Sequence, residues 1–448
     1  MTDTAADPPE RRNVLFILAD QLQAWALGCT GHPDIATPHL DTLAASGTVF
    51  SDAYVEFPVC TQYRGVLNTG RYASDSGVTN FGMGPAPDIR CLADALGDAG
   101  LWTSYVGKWH LYEFFDSAVL PEQRCGFERF VGYQSHNSYR EGIRFWDEDG
   151  GCREFVGGHR TVATADIAIE RLREIPADRD FALFVSFLNP HYPLEPLAEY
   201  EAMYAGVDIS LRPNVTQPEQ VFTPTYSPAS PQPVTEDPNY LRYGRSIEDF
   251  WRFYAAMVSH LDHEVGRLLD ELRTLGRDED TLVIFTSDHG EMGGSHGLMN
   301  KYVWHEESVR VPFLVRSPGS PAGRRIATPV AAGVDIWPTV LDWIGADAEP
   351  GLPGGSIVPM LDAGTAGAHH PAFAEAADPE RGYVMVRDGG WKYVAAYGSD
   401  ATIALHHLGD DPLEEHDVAA DHPEEVARLG ELVRAWKADT IREIRDSG

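Results

Sequence analysis

The chain has 448 residues, 43% of them hydrophobic and 10% aromatic, a composition that excludes a disordered protein and supports a large buried interior. Against 35 lysines and arginines stand 68 acidic residues, a formal charge of -33, so the field repels nucleic acid and anionic membranes but not a small anion held by local cations in a dry pocket. The five cysteines, Cys29, Cys60, Cys91, Cys125 and Cys152, show no CxxC spacing, which argues against a disulfide framework or a structural zinc site.

The N-terminal MTDTAADPPERR is polar and runs into NVLFILAD, an apolar run too short for a signal-peptide core or a spanning helix. The expected location is the cytoplasm. NVLFILAD predicts a buried parallel strand that presents Asp20 at its C-terminal end. TPHLDTLAASG predicts a helix with Thr37 as N-cap, Pro38 first, Leu40 and Leu43 on the buried face and Gly47 as the stop. In PVCTQYRGVLNTGRY, Cys60 and Arg64 are one helical turn apart. If a helix starts at the cysteine, its first amides favour an anion there, and Arg64 adds charge and holds Cys60 in place. The commoner role of a lone cysteine is a small core residue.

CLADALGDAG leads into LWTSYVGKWH, and TVATADIAIERLREI into FALFVSFLNPH, each a helix followed by an apolar strand with a polar end. Lys108 and His110 flank Trp109, so in an extended segment they point to the same side. A lysine charge beside an imidazole suits an oxyanion that also exchanges a proton. His191 sits between Pro190 and Pro193, which fix its loop. Arg212 to Asn239 carries seven prolines and reads as an irregular surface loop, a lid or an insertion. A helix over about Ile247 to Leu275 feeds TLVIFTSDHGE, which ends in Asp288 and His289, and Lys301 follows in HGLMNK.

Beyond VDIWPTVLDWIG the texture changes to short strands such as YVMVRDGGWKYVAAY, then a helix from about Pro423 to Arg445 striped with Val426, Leu429, Val433 and Trp436. With a boundary near Gly345 to Gly354, the expected fold is α/β: a large, mostly parallel central sheet flanked by helices in residues 1–348. A smaller α+β subdomain with antiparallel strands and a terminal helix follows in 349–448.

Four strands with polar tips converge on one crevice in an open parallel sheet. There Asp20, Gln21, Asp288 and His289 offer two acids, an amide oxygen and an imidazole, a set that suits Ca²⁺, Mn²⁺ or Mg²⁺ better than structural zinc. An acid ending a strand is, taken alone, more often a helix cap. Trp25, Tyr63, Trp109 and Trp304 lie near these strand ends, where packing is the common role and an aryl pocket the alternative. Lys392 and His305 are read as structural or solvated.

Taken in order, LADQ, TPHLDTLAASGTVFSDAYV, PVCTQYRGVLNTGRY, VGKWH, NPHYPLEP, TSDHGEMGGSHG, NKYVWHEESVRVP and VDIWPTVLD resemble the type I sulfatases of the alkaline phosphatase superfamily, over nearly the whole chain. The resemblance implies that a maturase converts Cys60 to formylglycine, whose hydrate attacks the sulfur of a small sulfate ester. It implies that Asp20, Gln21, Asp288 and His289 hold one divalent cation, calcium ahead of manganese or magnesium. Arg64 and Lys108 would support the nucleophile and its charge, His110 would act as the base that collapses the covalent sulfate intermediate, and His191 with Lys301 would bind sulfate and protonate the leaving oxygen. Gln62 stands where the maturation motif of that family has proline or alanine. Asn80 in GVTNFG, with the same ligand set, also resembles the phosphonate monoester and phosphodiester hydrolases of the superfamily. A non-catalytic anion- or metal-binding relative is the third reading if Cys60 stays a thiol. No nucleic acid or membrane partner is expected, and a homo-oligomer is left open.

Overall fold

The computed structural model describes residues 13–112, 116–222, 232–234, 246–363 and 370–441. Ten strands form the large sheet: β1 (Asn13–Asp20), β2 (Thr48–Phe50), β3 (Trp102–Lys108), β4 (Arg129–Tyr133), β5 (Arg144–Asp147), β6 (Cys152–Glu154), β7 (Phe181–Pro190), β8 (Thr281–Ser287), β9 (Phe313–Arg316) and β10 (Arg324–Ile326). Their order across the sheet is β10-β2-β9-β8-β1-β7-β3-β4-β5-β6. The central run from β8 through β1, β7 and β3 to β4 is parallel throughout. Antiparallel pairing enters on both flanks, at β9 and at β5 and β6.

The apolar run of β1 is continuous because both of its faces are covered. Leu15, Ile17 and Ala19 enter one core, Val14, Phe16 and Leu18 the other. The first core is closed by α1 (Pro38–Ser46), α4 (Arg160–Glu174) and α5 (Ile247–Thr274). The second is closed by α2 (Cys60–Thr69), α3 (Leu92–Asp98) and α6 (Ile336–Ile344). Ser246 caps α5 by accepting from Asp249 N, and Glu248 and Asp249 lie in its first turn.

A second sheet, β11 (Ala372–Ala376), β12 (Tyr383–Asp388), β13 (Trp391–Ala396) and β14 (Thr402–His407), is antiparallel in sequence order. α7 (Pro423–Thr440) lays Leu429, Val433 and Trp436 against it. That third core also takes in Val59, Val66 and Tyr72. α2 is therefore clasped from two sides, with Tyr63 and Leu67 in the second core and Val66 in the third, and all ten of its residues are buried.

Some sequence expectations are corrected. Thr37 stands before α1 but does not cap it; its hydroxyl accepts from Gly28 N and donates to Asp41. Half of the proline-rich segment lies outside the described residues, and its described beginning hydrogen-bonds to the 294–297 turn through Thr216 and Glu219. Past the expected boundary near Gly345 to Gly354, Ile357, Val358, Met360 and Leu361 still pack in the second core. The division at 348 is thus a proposal about folding units, open to limited proteolysis. No helix among the described residues is long and apolar enough to cross a membrane.

Candidate active site

Four adjacent parallel strands deliver the polar groups. β1 ends in Asp20, β3 in Lys108, β7 runs into His191 and β8 into Asp288 and His289. Cys60 opens α2 with its side chain among them, as the sequence expects if a helix starts there. Its Sγ lies 3.1 Å from His289 Nε2, 3.3 Å from Lys301 Nζ and 3.5 Å from Asp20 Oδ1.

Arg64 points from the next turn of α2, but its bonds do not go to Cys60. It donates to Asp20 Oδ2 and Asp288 Oδ2, both at 3.1 Å, to Ser186 Oγ at 2.8 Å and to the Lys108 carbonyl at 2.7 Å. Arg64 thus fixes the acids rather than the thiol. Lys108 Nζ meets Asp20 Oδ2 at 2.6 Å. Each acid thereby gives Oδ2 to a cation and turns Oδ1 toward His289 Nε2, at 3.6 Å for Asp20 and 3.4 Å for Asp288.

Asp20, Cys60, Asp288 and His289 bring their ligand atoms within 4.8 Å of one another. Gln21 has φ 67 and sets its amide between fixed partners. Its Nε2 donates to Glu291 and to Asn300 Oδ1, and its Oε1 accepts from Lys301 Nζ at 3.0 Å. Two carboxylate oxygens, an imidazole nitrogen and an oriented amide oxygen fit a hard or borderline divalent cation. Glu291 and Asn300 were not found in the sequence. The signal was adjacency, Glu291 three residues after Asp288 and Asn300 just before Lys301, but nothing local shows that Met292 N returns to the Asn300 carbonyl at 2.7 Å.

Burial and crowding set the charges. Burial and the neighbouring Asp20 push Asp288 up to about 7, against the pull of Arg64, Lys108 and Lys301. Burial would raise Asp20 as well, but Lys108, His191, Arg64 and Lys301 outweigh it and hold Asp20 well below the usual range. Burial and Asp20 push the Cys60 thiol up to about 11, so as a plain cysteine it is neutral at physiological pH. Burial, then Lys108 and Arg64, keep His110 uncharged; burial and Lys301 do the same to His191.

His110 is not extended, as the sequence reading assumed, but left-handed, with φ 56. It is nonetheless within the electrostatic reach of Lys108, Arg64, Asp20 and His191. His191 sits with Nδ1 2.5 Å from the Tyr192 carbonyl. The structure thus brings together every residue singled out for the site. It does not make an aryl pocket of the four expected aromatics. Tyr63 and Trp109 are fully buried in the second core, Trp25 packs on His32 and Trp251, and Trp304 on His305 and Tyr383. Lys392 is buried rather than solvated, paired with Glu414 at 2.7 Å and Glu306 at 3.0 Å. A second grouping, His296, His305 and Glu414, also lies within 4.8 Å, but Lys392 already neutralises its only acid.

A family model described as Sulfatase matches residues 12–346, and one described as N-sulphoglucosamine sulphohydrolase, C-terminal, matches residues 294–435. The chain is 31% identical over 362 residues to the ulvan-active sulfatase of Formosa agariphila, covering 79% of this chain and 66% of that one, just under two thirds of the relative's length. A yidJ structure of sulfatase type from Bacteroides fragilis superposes with TM-score 0.83 at 25% identity, over 98% of both chains. The phosphonate monoester hydrolase of Agrobacterium radiobacter shares the fold, with TM-score 0.75 at 24% identity over 95% of both chains.

Proposed function

The chain belongs to the sulfatase family, and on that premise we propose that it hydrolyses a sulfate monoester, aryl or alkyl, to the alcohol and inorganic sulfate. The observation that carries the reading is a buried cysteine at a helix start beside Lys301, His289 and Asp20, with Lys108 in electrostatic reach of it and His110 and His191 in electrostatic reach of Lys108 and Asp20. Cys60, oxidised to formylglycine by a maturase, would supply the oxygen nucleophile. Asp20, Gln21, Asp288 and His289 would hold one divalent cation, calcium first and manganese or magnesium as alternatives, which when bound supplies positive charge against the sulfate oxygens.

The remaining steps belong to this chain's own groups. Lys301 and Lys108 bring two fully buried ammonium groups to the place where sulfate charge must be held, and a water-poor pocket strengthens both. Arg64 bridges the two acids through one nitrogen and fixes their orientation. His110, held uncharged, accepts a proton from the nucleophile position. His191, with Nδ1 donating to the Tyr192 carbonyl, has Nε2 left to take up a proton when the anionic ester binds and to pass that proton to the leaving oxygen. The reading includes a cytoplasmic location, supported by five free cysteines, and no nucleic acid or membrane partner.

The test is sulfate release from phenyl sulfate by matured, calcium-loaded protein, beside a matched phenyl phosphonate monoester. Faster turnover of the sulfate, with competitive inhibition by inorganic sulfate, is expected. Preference for the phosphonate would overturn the sulfate assignment on the same scaffold.

A further inference from the structure

Gln62 stands where the sulfatase maturation motif has proline or alanine, and the proposed function gives it no part. It is the third residue of α2 and is fully buried. Its Nε2 donates to the Thr79 carbonyl at 3.2 Å, while its Oε1 has no hydrogen-bond partner among the described residues. A buried amide with its oxygen unpaired costs stability, so a gain in stability does not account for the residue. Neither proline nor alanine can make the bond to Thr79.

The segment that Gln62 holds leads to His110. Gly65, one turn further along the same face of α2, leaves only 2.7 Å between a Cβ there and Val78 Cβ, so α2 seats residues 78 and 79 directly. Beyond them Phe81 packs on the third core and brings its ring centroid 5.6 Å from that of His110. The Met83 carbonyl accepts from Tyr112 N at 2.9 Å and the Pro85 carbonyl from the Tyr112 hydroxyl at 3.1 Å. Gly84 between them has no room for a Cβ against the Tyr112 ring. His110 and Tyr112 are both left-handed, with φ 56 and φ 69, and such backbones persist where their surroundings over-determine them. On one side His110 N donates to the Gln134 carbonyl at 2.7 Å. On the other side the hold comes from residues 81–85.

We propose that Gln62 is a positioning residue for His110: its amide fixes the 78–85 segment on α2, and that segment holds the imidazole where it can take the nucleophile's proton. The proposal rests on the role given to His110 above and adds what sets its position. One helix then presents Cys60 from its first residue and anchors, from its third, the wall that holds the proton acceptor.

The experiment uses Gln62→Met, which keeps the volume and removes the donor. Formylglycine content is measured by mass spectrometry of the Cys60 peptide, and every rate is divided by it. On phenyl sulfate, kcat is expected to fall roughly ten- to a hundredfold, with KM and the inhibition constant of inorganic sulfate within about twofold because Lys108 and Lys301 are untouched. A second readout needs no turnover. Diethyl pyrocarbonate acylates accessible uncharged imidazoles, and peptide mass spectrometry locates the product. His110, 5% exposed in the wild type, should react at least about fivefold faster in the variant, while His191, 2% exposed, keeps its rate. If Gln62→Met loses inorganic-sulfate binding, Gln62→Ala is read in its place. An unchanged kcat per formylglycine overturns the proposal. So does equal acceleration at His110 and His191, which means general loosening, and so does a loss of rate wholly accounted for by lower formylglycine content, which places Gln62 in maturation. Wild-type protein that binds inorganic sulfate but releases it from no ester overturns the hydrolase reading alone: faster acylation of His110 still supports its anchoring by Gln62, and unchanged acylation still overturns it.

Discussion

Gln21 has a conformation that only its neighbours explain. A left-handed glutamine on a strand tip costs backbone energy, and the return is an amide whose nitrogen is held by Glu291 and Asn300 so that its oxygen faces Lys301. Glu291 is itself anchored by the Gly293 and Asn300 amides at 2.9 and 2.6 Å. Glu291→Ala should free the Gln21 amide to rotate and lower divalent-cation affinity roughly 10–100-fold, read by calorimetric titration of metal-stripped protein; unchanged affinity would show that Gln21 is not a ligand. The four ligand candidates were legible because each sits where an apolar run stops. Glu291 and Asn300 were not, because they act through a loop that doubles back, and a loop's return path leaves no periodic trace in sequence. Arg64 was found but given the wrong neighbour, since helical spacing shows which residues share a face, not which partner the side chain reaches.

At the scale of elements, the crevice depends on how closely β3 approaches β7. Gly107 has φ 110, and a Cβ there would lie 2.0 Å from the Ser186 carbonyl oxygen. Gly107→Ala should push the strands apart, moving Lys108 from Asp20 and Ser186 from Arg64, at a cost of about 3 kcal/mol or more in urea unfolding. A cost under about 1 kcal/mol would mean that the approach is not strained.

The second sheet is tied by a buried ion pair to the segment that follows the Lys301 loop. Lys392 on β13 pairs with Glu414 and with Glu306, the first residue of the short helix that follows the Lys301 loop. Lys392→Met leaves Glu414 in a dry interior without its cation and should cost about 3–5 kcal/mol, measured by thermal or denaturant unfolding. The alternation of strands and helices, and the parallel order of the four polar-tipped strands, followed from apolar runs bounded by caps and glycines. The flanking antiparallel strands were less legible. Cys152–Glu154, for example, is exposed throughout and carries no hydrophobic signal.

Across the whole molecule, the second and third cores meet at α2, and Glu56 lies just before that helix. It is fully buried, accepts from Gly333 N and Val334 N at 2.8 Å, and its carbonyl receives Glu375 N from β11. Burial raises its carboxyl to about 8, despite the lowering effect of those amides. The folded state therefore holds a proton that the unfolded chain, near 4.5, has already lost. Stability from this group is complete below about pH 4.5 and declines as pH rises through about 8, with a slope on the order of 1 kcal/mol per pH unit. Glu56→Gln should keep both amide bonds through Oε1 and flatten the fall in Tm between pH 5 and 8; an unchanged slope would place the titration elsewhere.

The account as a whole stands on Cys60 being the precursor of the nucleophile. The most direct test is the mass of the tryptic peptide containing Cys60, taken from protein purified from its own host and active on an aryl sulfate. A peptide about 18 Da lighter than the thiol form, the change for conversion to the aldehyde, is predicted, with sulfate release abolished in Cys60→Ala. Active protein whose peptide carries an unmodified thiol would contradict the account, since a thiol held near 11 among these groups would have to work by another chemistry.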